Sequence, residues 1–171
     1  MFSVIGVHSS CIARSSPTAG APSFWAGHAW LTMHYTNGRM GSIGLWAEGS
    51  FLSMRHLVKD RIGISSDTAE NFEIRFDEEL KNHYRAESSR YYGLYQGQQN
   101  KAIRALGRYA GWRASHTCAT WVTEKVEEIF GVSLASREFL GITNTPRELG
   151  VCLWRLESKN PTSVSRPLYV P

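Results

Sequence analysis

The sequence of 171 residues lacks several features that would reveal its class directly. No segment approaches the ~20 apolar residues that a membrane-spanning helix needs. The three cysteines are too few for a disulfide framework, and no two of them lie at metal-ligand spacing. Lysine and arginine form no run, because 19 basic residues are scattered among 15 acidic ones, with a net charge of +4. We therefore expect no metal, no stable membrane insertion and no nucleic-acid partner.

The N-terminus lacks the pattern of an export signal. Met1–Val7 is apolar but too short for the core of a signal peptide, and no lysine or arginine precedes it. The sequence therefore predicts synthesis in the cytoplasm without a signal peptide. Action outside the cell would require a dedicated secretion system.

Aromatic residues, in contrast, are abundant. Six tryptophans and seven tyrosines are a heavy load for this length, and such side chains fill cores or line clefts that hold extended substrates. The length and the 42% hydrophobic share are typical of one globular domain, here 1–171. Within it, residues 1–23 are predicted as an irregular lead-in and residues 160–171 as a C-terminal tail.

The hydrophobic pattern predicts an α+β fold. Two strand-like runs, 26–35 and 40–46, flank an Asn-Gly pair, which is the strongest short-range signal for a hairpin. The clearest helix begins at 115 or 117 and ends at about 130, with apolar residues on one side and charged residues on the other. The remaining predicted elements are a strand at 71–76, a short helix from Asp77, a helix at 98–109, a short helix from Pro146 and a closing strand at 151–156.

Cys118 is the candidate nucleophile. It lies in the first turn of the clearest helix, where the helix dipole and unsatisfied N–H groups favour a thiolate and can stabilise an oxyanion. A small buried residue at a helix start would look the same, so position alone leaves both interpretations open. Cys152 fits a core position, and Cys11 lies in a serine-rich stretch that starts no convincing helix.

His28 is the candidate base. It stands at the head of the first hairpin strand, in Gly27-His28-Ala29-Trp30, although a single strand histidine is more often structural. This strand, the Asn-Gly turn, a returning Gly-Leu-Trp strand and a later helix opening on cysteine resemble the permuted NlpC-like branch of the papain-like cysteine hydrolases. Residues 143–150 (TNTPRELG) also resemble a segment that follows the cysteine helix in toxin domains of that branch.

The resemblance implies a circularly permuted papain-like fold with an antiparallel sheet packed on the helix that carries the nucleophile. It implies hydrolysis of amide bonds by Cys118 and His28 without a cofactor. The implied substrate is the peptide part of peptidoglycan, cleaved by an endopeptidase or amidase. Members of the branch include antibacterial effectors of type VI secretion, so the resemblance also implies delivery to a target-cell periplasm and a cognate immunity protein.

The third catalytic residue and the substrate contacts are less defined in the sequence. Counting across the turn places 46–48 opposite His28, and Glu48 is the ionisable candidate that could orient the imidazole. Trp30, Trp46 and His116 are predicted to contact substrate. Many permuted members carry asparagine directly before the cysteine, where this chain has Thr117.

Two other functions stay open from the sequence. The same site could act on lipid, as an acyltransferase or thioesterase of the lecithin:retinol acyltransferase type, which predicts an apolar groove at Cys118. A non-catalytic domain could instead use its aromatic residues to bind peptide or glycan. A protein isopeptidase acting on ubiquitin-like tags is a further, less favoured possibility.

Overall fold

The computed structural model describes residues 1–10, 28–45, 86–108, 116–134 and 144–171. Within these ranges the fold is α+β, as predicted, with one five-stranded sheet and three helices. The strands are β1 (Phe2–Ser9), β2 (Ala29–Tyr35), β3 (Met40–Gly44), β4 (Ser88–Gly93) and β5 (Leu168–Tyr169). The helices are α1 (Gln98–Leu106), α2 (Cys118–Phe130) and α3 (Pro146–Lys159).

The sheet has the order β3-β2-β1-β4-β5, with β1 at its centre. Its neighbouring strands are antiparallel except for β4 and β5, which are parallel, so the sheet is mixed rather than purely antiparallel. The predicted hairpin is confirmed by β2 and β3. Gly38 in its turn has a φ of 81°, a conformation that glycine adopts without steric cost.

The two faces of the sheet differ in character because side chains alternate along each strand. One surface of the sheet, which we call the apolar face, is formed by five fully buried side chains: Ile5, Val7, Leu31, Met33 and Ile43. These side chains form one core cluster with the inward side of α2, including Trp121 and Val126. The helix α2 packs on β2, and α3 packs on β4 and β1.

The opposite surface, which we call the histidine face, is formed by His8, Trp30, Thr32, His34 and Tyr91. Cross-strand pairing of His8 with Trp30 brings β1 and β2 together there, and β4 adds Tyr91 beside Gly6. His8, Trp30 and Thr32 are buried, whereas His34 and Tyr91 are partly exposed.

The start of α3 follows the sequence prediction, but its length does not. Thr145 and Glu148 form a reciprocal capping box with Pro146 in the first turn, so the predicted helix start is confirmed. The predicted strand at 151–156 is wrong, because the helix continues through it to Lys159. Leu149 and Leu153 are both fully buried at a spacing of four residues, which is the helical period. A short apolar run does not by itself distinguish a strand from a buried helix segment.

The lead-in predicted for 1–23 is wrong for its first part, because Phe2–Ser9 forms the central strand β1. Almost all of β1 is buried, its polar His8 and Ser9 included, so its sequence lacks the apolar–polar alternation that marks a half-buried strand. The sequence also gave no prediction for β4. The predicted strand at 71–76, the helix from Asp77 and residues 11–23 lie outside the described residues.

The C-terminal tail is part of the fold. Leu168 and Tyr169 form β5 beside β4, and the Tyr169 ring covers Gly93, where no side chain would fit. The helix predicted at 98–109 is confirmed over Gln98–Leu106. None of the helices in the described ranges is long and apolar enough to cross a membrane.

Candidate functional site

Cys118 is the first residue of α2, in agreement with the sequence prediction. The preceding residue, Thr117, caps the helix: its hydroxyl accepts a hydrogen bond from the Thr120 amide at 3.3 Å and donates to the Asn144 carbonyl at 2.7 Å. The same threonine therefore fixes the helix start and ties it to the segment before α3. This arrangement holds the backbone at Cys118 in place from two directions.

The Cys118 thiol is buried, with 7% of the residue exposed. Burial raises its pKa to about 11, because a thiolate loses hydration there. The backbone amides of Ala29, Ala119 and Cys118 itself hydrogen-bond to the sulfur and oppose that rise. The site therefore holds a protonated thiol at neutral pH, surrounded by N–H groups that favour negative charge on the sulfur.

The backbone of His28 is fixed at the end of the hairpin by Ser10. The Ser10 amide donates to the His28 carbonyl at 3.0 Å, and the His28 amide donates to the Ser10 hydroxyl at 2.8 Å. The imidazole stacks on Trp30 with ring centroids 5.8 Å apart and an angle of 7° between the planes. Burial lowers the pKa of His28 to about 3, so the ring is neutral at physiological pH.

The structure brings Cys118 and His28 to the same end of β2. The Ala29 amide, which donates to the Cys118 sulfur, belongs to the residue directly after His28. The Ala29 side chain joins the apolar core, whereas the His28 ring stacks on Trp30 of the histidine face. The thiol thus lies beside the backbone of the residue that follows His28, on the apolar side of β2, whereas the His28 ring lies on the opposite face.

The other predicted site residues have different environments. Trp30 is buried and stacks on two imidazoles, since His8 also stacks on it, with centroids 5.3 Å apart. The indole of Trp30 therefore packs against histidine rings and is largely shielded from solvent. The His116 Nε2 atom lies 2.8 Å from a carboxylate oxygen of Glu124, on the outward side of α2. Glu48 and Trp46 lie outside the described residues.

A second group of polar side chains was missed by sequence reasoning. His8 Nδ1 lies 2.8 Å from the Ser89 hydroxyl, and His8 Nε2 lies 2.7 Å from the Thr32 hydroxyl. Thr32 in turn lies 2.9 Å from His34 Nε2. The only signal in the sequence was the shared face of His28 and His34 by period two. His8 comes from β1 and Ser89 from β4, and neither strand was predicted.

Within the described ranges, no group of three or more histidine, cysteine or acidic side chains is arranged to hold a metal ion. Comparison of the chain with protein-family models, with curated proteins and with solved structures finds no match. The chemistry of the site must therefore be argued from its own residues.

Proposed function

We propose that this protein is a cysteine hydrolase that cleaves amide bonds, with Cys118 as nucleophile and His28 as general base. The observation that carries the proposal is the set of three backbone amides directed at the Cys118 sulfur, one of them adjacent to His28. Two of these amides belong to the helix start itself, whereas the third, from Ala29, comes from β2 and reaches the sulfur through tertiary packing. N–H groups at a helix start also suit the oxyanion of a tetrahedral intermediate.

The protonation states favour proton transfer during attack over a stable ion pair. With the pKa of Cys118 at about 11 and that of His28 at about 3, both groups rest in their neutral forms. As the sulfur bonds to the substrate carbonyl carbon, its proton passes to the imidazole. This transfer requires the His28 ring to turn from Trp30 on the histidine face toward the sulfur on the apolar side of β2. The imidazolium then protonates the leaving amine, and water attacks the thioester to release the acid and restore the thiol.

The proposed architecture is the permuted papain-like one, supported by a histidine strand that precedes the cysteine helix in the chain. From the resemblance, the proposed substrate is the peptide part of peptidoglycan. Glu48 stays the predicted third residue. Secretion as an antibacterial effector and an immunity partner are proposed by analogy with that branch alone, since fold likeness does not determine function.

The test is digestion of purified peptidoglycan by the wild type, Cys118→Ala and His28→Ala, with the fragments identified by mass spectrometry. We expect new peptide fragments with the wild type and none with either variant. Cys152→Ala serves as the matched control, because Cys152 is a partly buried cysteine on α3 and should be dispensable. Circular dichroism of each variant separates a loss of chemistry from a loss of fold.

Two results would contradict the proposal. Full activity in Cys118→Ala would remove the nucleophile from the mechanism. Binding of the wild type to peptidoglycan without any fragment would instead support the non-catalytic domain that the sequence left open.

A further inference from the structure

Four side chains on the sheet form a continuous chain of short hydrogen bonds, in the order Ser89, His8, Thr32, His34. Its three links measure 2.8, 2.7 and 2.9 Å. At one end, Ser89 also hydrogen-bonds the hydroxyl of Tyr91. The chain therefore connects two partly exposed groups, the Tyr91 phenol and the His34 imidazole, through the buried His8 and Thr32. We call these five residues the relay.

The strand register and one glycine create the space for the relay. Gly6 pairs with Thr32 on one side and with Tyr91 on the other, so it lies at the centre of the group. A Cβ atom on Gly6 would collide with the Thr32 hydroxyl and with His8 Nε2. The contact between His8 and Thr32 thus requires a residue without a side chain at this position.

Proton counting favours two arrangements of such a chain. A neutral imidazole carries one N–H and one acceptor nitrogen, and a threonine hydroxyl has one proton to donate. A hydroxyl oxygen can also accept twice, but its own proton is then not used within the chain. Since both ring nitrogens of His8 are engaged, the arrangements that use the Thr32 proton have all links pointing toward His34 or all pointing toward Ser89. In the first arrangement His8 carries its proton on Nε2, and in the second on Nδ1.

We infer that protonation of His34 reverses the direction of this hydrogen-bond chain. The His34 cation has N–H on both nitrogens, so its Nε2 must donate to Thr32. Thr32 then donates to His8 Nε2, and the His8 proton resides on Nδ1 and is donated to Ser89. With His34 neutral, no cation sets the direction of the links. We then expect Tyr91 to donate to Ser89 and the links to point toward His34, because a phenol is a stronger donor than an aliphatic hydroxyl. Ser89 therefore changes from donor to acceptor toward His8.

The environment of the two histidines fits these roles. His8 is deeply buried and its pKa is lowered to about 3 by burial and by the nearby His34, so it changes tautomer rather than taking up charge. Burial also lowers the pKa of the half-exposed His34, though less severely, so His34 takes the first proton as the pH falls. The titratable groups facing His34 within the described residues are His8 from β1 and Tyr91 from β4. Its β3 pair, Met40, does not titrate.

The test is 15N NMR of the histidine ring nitrogens from pH 8 to pH 5, which reads the tautomer of His8 and the charge of His34 separately. In the wild type, we expect the His8 proton to move from Nε2 to Nδ1 with the same midpoint as the His34 titration. Thr32→Ser keeps a hydroxyl and should preserve this coupling. Thr32→Val is nearly the same size without a hydroxyl, and it should leave the His8 tautomer independent of pH in that range.

His34→Gln provides a second test if Thr32→Val does not fold, because it removes the group that titrates. A His8 tautomer that stays constant while wild-type His34 titrates would overturn the inference. A tautomer change that persists unaltered in Thr32→Val or in His34→Gln would overturn it as well. None of these readouts depends on the proposed hydrolase activity.

Discussion

The two faces of the sheet are built from alternate residues of the same strands, but one buries hydrocarbon and the other buries polar groups. On β2, Leu31 and Met33 join the apolar core, while Thr32 and His34 belong to the histidine face. The apolar face is stabilised by the removal of hydrocarbon from water, a contribution that does not depend on pH. The histidine face buries polar groups, each of which costs stability unless it is hydrogen-bonded. The stability contributed by the apolar face should therefore be insensitive to pH, whereas that of the histidine face should depend on pH.

The largest expected effect is acid destabilisation originating at buried histidines. The folded-state pKa values of His8 and His28 are each about 3, below the ordinary value of 6.5 that applies in the unfolded chain. Since the unfolded state takes up protons first, stability is fully present above pH 6.5 and is lost as the pH falls toward 3. Each histidine should lower the free energy of unfolding by about 1.4 kcal/mol per pH unit over that window.

Urea unfolding at a series of pH values measures this slope. His8→Asn should reduce the slope by about the share of one histidine, whatever it does to stability at pH 7. A free energy of unfolding that stays constant from pH 6.5 to pH 4 would contradict the burial of neutral imidazoles. The two faces would then not differ in the pH dependence of their contribution to stability.

The next effect in size concerns the close packing of the histidine face. Gly6→Ala should lower the free energy of unfolding by about 1–3 kcal/mol, because the added methyl group meets Thr32 and His8 where no space exists. The matched control is Gly97→Ala, since a Cβ atom on Gly97 meets nothing within 4 Å and its φ of −80° suits alanine. Thermal unfolding of both variants gives the measurement.

A Gly6→Ala variant as stable as the wild type would show that the relay can shift to make room. NMR of the same variant tests the relay directly. Displacement of Thr32 from His8 should uncouple the His8 tautomer from the charge of His34, even where the fold survives.

The sequence carried enough information for the hairpin and the helix starts, because those depend on local signals. An Asn-Gly turn and the capping threonines at 117 and 145 act through neighbouring residues. It carried less for the C-terminal part of α3, because a buried helix segment can look like a short apolar strand. It also carried less for β1 and β4, because FSVIGVHS shows no apolar–polar alternation and SSRYYG contains no apolar run. The relay could not be predicted at all, since its members come from three strands and meet only through the sheet register.

The candidate site shows the same division. The placement of Cys118 at a helix start followed from local pattern, and so did the strand after His28. The backbone link between them through Ala29 depends on tertiary packing, which no local pattern encodes. The burial that makes both groups neutral also depends on residues distant in sequence, so the protonation states were beyond sequence reasoning.

The smallest expected effect concerns the reactivity of the Cys118 thiol on the apolar side of β2, which should depend on pH while the fold stays intact. In a variant with serine at positions 11 and 152, Cys118 is the one cysteine left to react with iodoacetamide. Because burial raises the pKa of Cys118 to about 11, the alkylation rate should climb about tenfold per pH unit from pH 7 to 10 without levelling off. His28→Ala should leave this profile nearly unchanged, since burial rather than the imidazole sets it.

A rate that is already constant at neutral pH in the wild type, and that becomes pH-dependent in His28→Ala, would instead reveal a resting thiolate–imidazolium pair. In that case the proton would move before attack rather than with it, and His28 would have to be charged in a site that otherwise favours its neutral form.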